Sequence, residues 1–287
     1  MRIAIIGYGE VGGILADDFA KAGAEITAFD TLPAAQTRAA TRARPTPHAA
    51  AAQADAIFVS VTAGSVLDAI RALDGALAHG PFVVDVNSIA PATKQHAARI
   101  AEAAGARYVE AAVMASVPPK RLQTPILLGG PHTEAFIAAM APFDMDLTPY
   151  APDIGRASAV KMCRSVMIKG IEALTTESML AARHYGVEAD VLRTLGETLP
   201  HPDWPGLARY VISRALIHGK RRAEEMREVA KTVADAGVEP LVSRAIVDRQ
   251  DWAWRQGIAM GPARNAPDLE TLLDSLTAAM HLPKAAE

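Results

Sequence analysis

Met1-Arg2-Ile3-Ala4-Ile5-Ile6-Gly7-Tyr8-Gly9-Glu10-Val11-Gly12 opens the chain and decides its first domain. A short β-branched run leads into GxGxxG. A helix-like stretch follows from about Val11 to Lys21, then a second strand-like run, Glu25-Ile26-Thr27-Ala28-Phe29, closed by Asp30. Strand, glycine loop, helix, strand and acidic residue in this order form the pattern of a dinucleotide-binding βαβ unit. Gly7 suits the tight turn off the strand, Gly9 lets backbone approach a pyrophosphate, and Gly12 lets the helix pack on the sheet. The helix N-terminus offers free N–H donors and the positive end of a dipole to phosphates. Tyr8, Glu10 and Val11 complete the loop as cofactor-binding candidates. Asp30 is placed to accept hydrogen bonds from an adenosine ribose. Its charge would repel a 2′-phosphate, which favours NAD and leaves NADP possible.

Working outward, the alternation continues. Ala56 to Val61 reads as a buried parallel strand, followed by a helix from about Ser65 to Ala78. Phe82 to Val86 is the next strand, and Pro91 to Ala104 the next helix, with Pro91 favourable in a first turn. Arg107 to Val113, Pro125 to Leu128 and residues 144–149 supply further strands, and 131–141 a short helix. Such alternation predicts a doubly wound parallel sheet of Rossmann type with helices on both faces. Near Gly155 the pattern changes. From Ala157 to Tyr185 the sequence is helical without a proline, and helices are expected at 188–199, 205–217, 219–236, 239–256 and 267–280. Pro200, Pro202, Pro205, the Gly237–Pro240 segment and Gly261-Pro262 mark the breaks. The expected architecture is α/β: a Rossmann domain over 1–154 and an all-α substrate and dimerisation domain over 155–287, joined by a long hinge helix.

The 287 residues suffice for two domains with substantial cores. A net charge of −3 argues against a general nucleic-acid binder. No run approaches a membrane span, and a strand at the first residue is not a signal peptide. A single cysteine, Cys163, rules out an internal disulfide framework and fits a reducing compartment, so a cytoplasmic enzyme is expected. Cys163 itself reads as core packing. The eight histidines show no metal-ligand spacing, so no metal is expected.

The hinge helix is the place to look for chemistry. Ala159 to Ile171 is apolar nearly all round, which predicts burial of Lys161 within it. At 100° per residue, Ser165, Ile168 and Glu172 fall within about 40° of Lys161. Burial and the nearby Arg164 would lower the Lys161 pKa toward the range useful for proton transfer. From the helix alone, a lysine snorkelling near a helix start is the favoured reading. The basic run His218 to Arg222 reads as a solvated helix start.

Four stretches along almost the whole chain resemble the β-hydroxyacid dehydrogenase family, which includes 3-hydroxyisobutyrate and 6-phosphogluconate dehydrogenases. They are the Gly7–Gly12 loop; Asp85-Val86-Asn87-Ser88-Ile89-Ala90-Pro91, similar to D-x-S-T-x-x-P; Glu110 to Ser116, where the family has D-A-P-V-S-G-G; and Gly155 to Ser165, where Lys161 takes the place of the catalytic lysine. The resemblance implies hydride transfer between NAD(P) and the hydroxyl carbon of a small β-hydroxy acid, with Lys161 as general acid/base. It also implies that Ser88 bridges nicotinamide and substrate, although Ser88 could instead cap the next helix. Val61 and Thr62, at the end of the third strand, are expected to line the cofactor cleft.

Departures put the usual substrates in doubt. Met114-Ala115-Ser116 replaces Ser-Gly-Gly, and Ser165, preceded by Arg164, replaces an asparagine one turn after the lysine. These five residues are the remaining substrate-binding candidates. A family lysine near the nicotinamide falls opposite Glu224 or Glu225. The chain therefore resembles a divergent branch. An imine reductase on the same fold and a non-catalytic NAD-binding protein are the competing readings, and a homodimer is the expected assembly.

Overall fold

The computed structural model describes residues 1–199 and 201–280; Pro200 lies outside them. The β-branched runs become strands and the intervening segments helices. In order they are β1 (Arg2–Ile6), α1 (Glu10–Lys21), β2 (Glu25–Phe29), α2 (Pro33–Ala39), α3 (Pro47–Ala51) and β3 (Ala56–Val59). Then come α4 (Val66–Arg71), β4 (Phe82–Asp85), α5 (Pro91–Ala103), β5 (Arg107–Val113), α6 (Val117–Lys120), β6 (Ile126–Gly129), α7 (Thr133–Met140) and β7 (Leu147–Ala151). The sheet runs β2-β1-β3-β4-β5-β6-β7, so strand order reverses between β1 and β3. In open α/β sheets ligands bind outside the carboxyl ends of the strands at such a reversal.

Alternation along β1 sorts its side chains to the two faces. Ile3 and Ile5 join Phe19, Phe58, Phe82 and Phe136 on one face, where the phenylalanines form a tilted and edge-on stack. Ala4 and Ile6 join Ile57, Val59, Ile70, Leu73 and Tyr108 on the other. All strand pairs are parallel except β5 with β6, so the sheet is the mostly parallel, doubly wound one expected, with one antiparallel pair. The only α-helix in the connection there is the four-residue α6. It is followed by Arg121, whose guanidinium donates two 2.7 Å bonds to Asp18 of α1. So anchored, the connection does not cross back over the sheet.

The chain divides into two compact units, Met1–Cys163 and Arg164–Glu287, and the division falls within α8 (Arg156–Tyr185). The second unit continues with α9 (Glu188–Thr198), α10 (Trp204–Asp235), α11 (Leu241–Met260) and α12 (Leu269–Met280). Ile212, Leu216, Leu272, Leu273 and Leu276 form the centre of its core. The two helices expected at 205–217 and 219–236 are one continuous helix, α10. Gly219 is a packing notch and no break: a Cβ there would lie 2.4 Å from the Gln250 carbonyl oxygen of α11. Gly257 of α11 answers it, with Leu216 backbone 2.2 Å from the place of its Cβ. Pro205 occupies the first turn of α10, behind an Asp203 side-chain cap on the Gly206 N–H.

The basic run therefore lies mid-helix. Arg222 is buried and ion-paired with Glu172 of α8, which corrects the solvated reading. Half-buried His218 has its pKa pushed down to about 4, first by burial and then by the charges of Arg214 and Arg221. The unfolded chain binds a proton here near pH 6.5 and the folded chain does not. Stability is thus expected to fall as pH drops from about 6.5 to about 4. Urea midpoints across that window should fall less steeply in His218→Gln than in the parent. Among the described residues no helix is long and apolar enough to cross a membrane.

Candidate active site

The glycine loop is built by the switch-point strands. Gly7 has φ +96°, and its N–H donates to the Phe29 carbonyl at the end of β2. A Cβ on it would meet the Ser60 carbonyl oxygen at 2.3 Å, so β3 closes over it. The Ser60 hydroxyl donates to the Gly7 carbonyl at 2.7 Å. Gly9 is the exposed N-cap of α1, without a side-chain cap, and a Cβ there would meet nothing within 4 Å. Open space over an uncapped helix N-terminus fits a pyrophosphate. Glu10 is exposed, Val11 half-buried, and Gly12 buried with Gly7 oxygen 2.0 Å from the place of its Cβ.

Asp30 is half-buried at the end of β2. It accepts the Tyr8 N–H at 2.6 Å through one oxygen and the Leu32 N–H at 2.8 Å through the other. A carboxylate oxygen has two lone pairs, so each keeps capacity for a ribose hydroxyl. Two residues without a sequence signal complete this corner. Arg38 donates to the Tyr8 carbonyl at 3.0 Å and Arg42 to the Tyr8 hydroxyl at 2.8 Å. Both follow or lie in α2, a helix that the periodicity did not reveal.

Beyond β3, Val61 is half-buried and Thr62 exposed, its hydroxyl 3.1 Å from that of Ser65. Beyond β4, half-buried Ser88 lies in the loop before α5. It does not cap that helix, because Ala90 is the N-cap and Pro91 the first residue. The loop rests on a polar network inside the sheet. Asp85 and Lys94 are fully buried, 3.0 Å apart, and the Lys94 ammonium also donates to the Asp85 carbonyl at 2.6 Å. The Tyr108 hydroxyl and the backbone and side-chain N–H groups of Asn87 donate to the same carboxylate. Burial, then the Asp85 charge, pushes the Tyr108 pKa well up, so its hydroxyl stays a donor.

Beyond β5, Met114 is half-buried and its N–H is spent on the Pro125 carbonyl, whereas Ala115 and Ser116 are exposed. Ser116 is the N-cap of α6 and makes no side-chain cap bond. Within β5, buried Glu110 reaches the start of α8, accepting the N–H groups of Gly155 and Ser158 at 2.7 and 2.6 Å and the Ser158 hydroxyl. Gln95 of α5 donates to the Ile154 carbonyl at 3.1 Å, and a Cβ on Gly155 would lie 3.2 Å from Pro91 Cβ. The helix carrying Lys161 thus begins against the loop that carries Ser88.

Lys161 is half-buried. The expected burial of the whole segment is corrected: Met167, Ile168, Ile171 and Leu174 are exposed, and so is Cys163, which was expected in the core. A single buried stripe runs through Ser158, Met162, Ser165, Lys169, Glu172 and Thr176. Five of these six residues are polar and the exposed positions include Met167, Ile168, Ile171 and Leu174, so apolar composition does not mark the buried side of this helix. In the helical unit, Arg164 is exposed and the Ser165 hydroxyl lies 3.2 Å from the Lys169 ammonium. Lys169 pairs with Glu225 at 2.9 Å, and its pKa is lowered, chiefly by burial. Glu225, where the family lysine would fall, is thus a partner for a lysine of α8.

Comparisons with known proteins agree with this architecture. Residues 2–143 match the NAD binding domain of 6-phosphogluconate dehydrogenase, and residues 182–253 match a domain of unknown function, DUF1932. A 3-hydroxyisobutyrate dehydrogenase of Pseudomonas aeruginosa is 26% identical over 212 residues, covering 70% of this chain and 71% of that protein. A conserved hypothetical protein of Sinorhizobium meliloti is 30% identical, with a TM-score of 0.73, covering 97% of this chain and 96% of its own. A conserved protein of unknown function, described as structurally similar to 3-hydroxyacid dehydrogenases, is also 30% identical. Its TM-score is 0.67, over 90% of this chain and 99% of its own. With an NAD(P)-binding Rossmann domain followed by a helical domain of this kind, the chain belongs to the β-hydroxyacid dehydrogenase family, in a divergent branch.

Proposed function

We propose that the protein is an NAD-dependent oxidoreductase that interconverts the hydroxyl and carbonyl forms of a small β-hydroxy acid, with Lys161 moving the proton. The observation that carries this reading is the seating of α8: the helix bearing Lys161 starts on Pro91 and Gln95, directly after the Ser88 loop. Bound NAD supplies the acceptor for the hydride that leaves the hydroxyl carbon. Neutral Lys161 accepts the hydroxyl proton as the carbonyl forms, and its ammonium returns that proton in the reverse direction. Ser88 and Ser116 orient the substrate, and Met114 and Ala115 shape its pocket. Arg164 and Ser165 serve the substrate carboxylate. Asp30 accepts from the adenosine ribose, and its charge disfavours a 2′-phosphate, so NAD is the preferred cofactor.

The reading is tested by following NAD⁺ reduction with a panel of aliphatic, aromatic and sugar β-hydroxy acids, beside NADPH oxidation with cyclic imines. Turnover of at least one hydroxy acid is the expected result. Turnover of imines alone, or cofactor binding without turnover, would contradict it. The cofactor site has its own test. Gly9 has ordinary extended backbone angles and open space, so Gly9→Val should fold with an unchanged Tm. Its side chain would fill the phosphate approach and weaken NADH binding by about 10²-fold, or roughly 2.7 kcal/mol, read by calorimetry.

A further inference from the structure

Glu110 is a fully buried carboxylate that takes no part in the chemistry above. It leaves β5 beside Asp85 of β4 and opposite Gly129 of β6. Its two oxygens accept the Gly155 N–H, the Ser158 N–H and the Ser158 hydroxyl. First-turn N–H groups have no partner inside their own helix. A strand side chain, 45 residues earlier in sequence, therefore caps the start of α8. The charge also sits at the positive end of the dipole of a 30-residue helix.

The room for this cap is specific. A Cβ on Gly129 would lie 2.4 Å from the Glu110 carboxylate, so the glycine provides the space that the longer acidic side chain occupies. Lys161 follows Ser158 by three residues, about 4.5 Å along the axis. Once Ser158 is held, the height and rotation of Lys161 relative to the sheet are held as well.

We propose that Glu110 is a positioning residue for Lys161, locking the start of α8 to β5 so that the lysine has a fixed place relative to the ends of the strands. The inference rests on the reading of Lys161 as the proton-moving group. The experiment compares Glu110→Gln and the milder Ser158→Ala with the parent enzyme, using the hydroxy acid identified by the panel. Glu110→Gln keeps the shape but turns an amide N–H₂ toward backbone N–H donors. With folding verified by circular dichroism, kcat is expected to fall about 10-fold to 10²-fold, while NADH affinity stays within about twofold. Ser158→Ala should show a smaller loss in the same direction. Loss of the negative charge should also move the rise of kcat with pH to lower pH, since an anion near Lys161 favours its protonated form.

A structural anchor alone would lower Tm and leave kcat and its pH profile unmoved below the transition; that result would overturn the proposal. If Glu110→Gln does not fold, an unchanged kcat and pH profile in Ser158→Ala would overturn it equally. A substrate-free readout separates this from the catalytic reading: the ε-carbon signal of Lys161, assigned by its loss in Lys161→Met, should titrate at lower pH in Glu110→Gln. If that titration moves while Lys161→Met retains turnover, the positioning stands and the catalytic reading falls. If it does not move, the positioning falls.

Discussion

Lys161→Met should lose at least about 10²-fold in kcat, the contribution typical of a positioned general acid/base. Methionine keeps much of the length and the apolar stem of lysine, so α8 retains its packing on one side and only the ammonium is lost. Lys161 lies outside the glycine loop, Asp30 and the strand ends that address the cofactor, and NADH affinity should therefore stay within about twofold. The split between a large effect on kcat and none on cofactor binding distinguishes a proton-moving group from a residue that shapes the cofactor cleft. Equal losses in kcat and kcat/KM are the further expectation, because the interaction strengthens only in the transition state.

The second large effect concerns stability. Lys94→Met should cost about 3–5 kcal/mol, because it leaves the Asp85 carboxylate buried without a counter-charge. A whole domain of this size is stable by only about 5–15 kcal/mol, so the variant is expected near the edge of folding at ambient temperature. The double variant Asp85→Asn/Lys94→Met removes both charges and should recover a large part of that loss. Urea denaturation of the four proteins in the cycle measures it. An additive double variant would show that the pair is not coupled, and that the Ser88 loop rests on something else.

The parts of the fold that rest on local chemistry are legible in the sequence. Ile3 to Ile6, Ile57 to Val59 and Phe82 to Val84 are continuous apolar runs because both faces of a parallel strand are covered. The glycine spacing reflects contacts that are themselves short-range, such as Gly12 against Gly7. The features that the sequence does not show depend on distant partners. Lys94 and Tyr108 converge on Asp85 from sequence separations of 9 and 23, and Glu110 reaches Ser158 across 48 residues. Nothing in the local pattern of any of these residues marks it as buried and paired. A lysine in the first turns of a helix or a glutamate in a strand ordinarily faces solvent.

Gly219 shows the opposite failure, a strong local signal with a tertiary meaning. A glycine after a basic residue looks like a helix boundary, yet here it lets α10 and α11 approach through backbone. The exposed stripe Met167, Ile171 and Leu174 similarly reads as interior by composition alone. The candidate site divides along the same line. Its cofactor half is a compact motif, whereas its catalytic half is a single lysine whose significance depends on where its helix starts.

The most direct test of the account is NAD⁺ reduction by the β-hydroxy acid panel, run with the parent protein and with Lys161→Met in parallel. The expected result is NADH formation with at least one hydroxy acid by the parent, and about 10²-fold slower formation by a variant that still binds NADH normally. Near-normal turnover by Lys161→Met, or no turnover of any hydroxy acid by a parent that binds NADH, would contradict it.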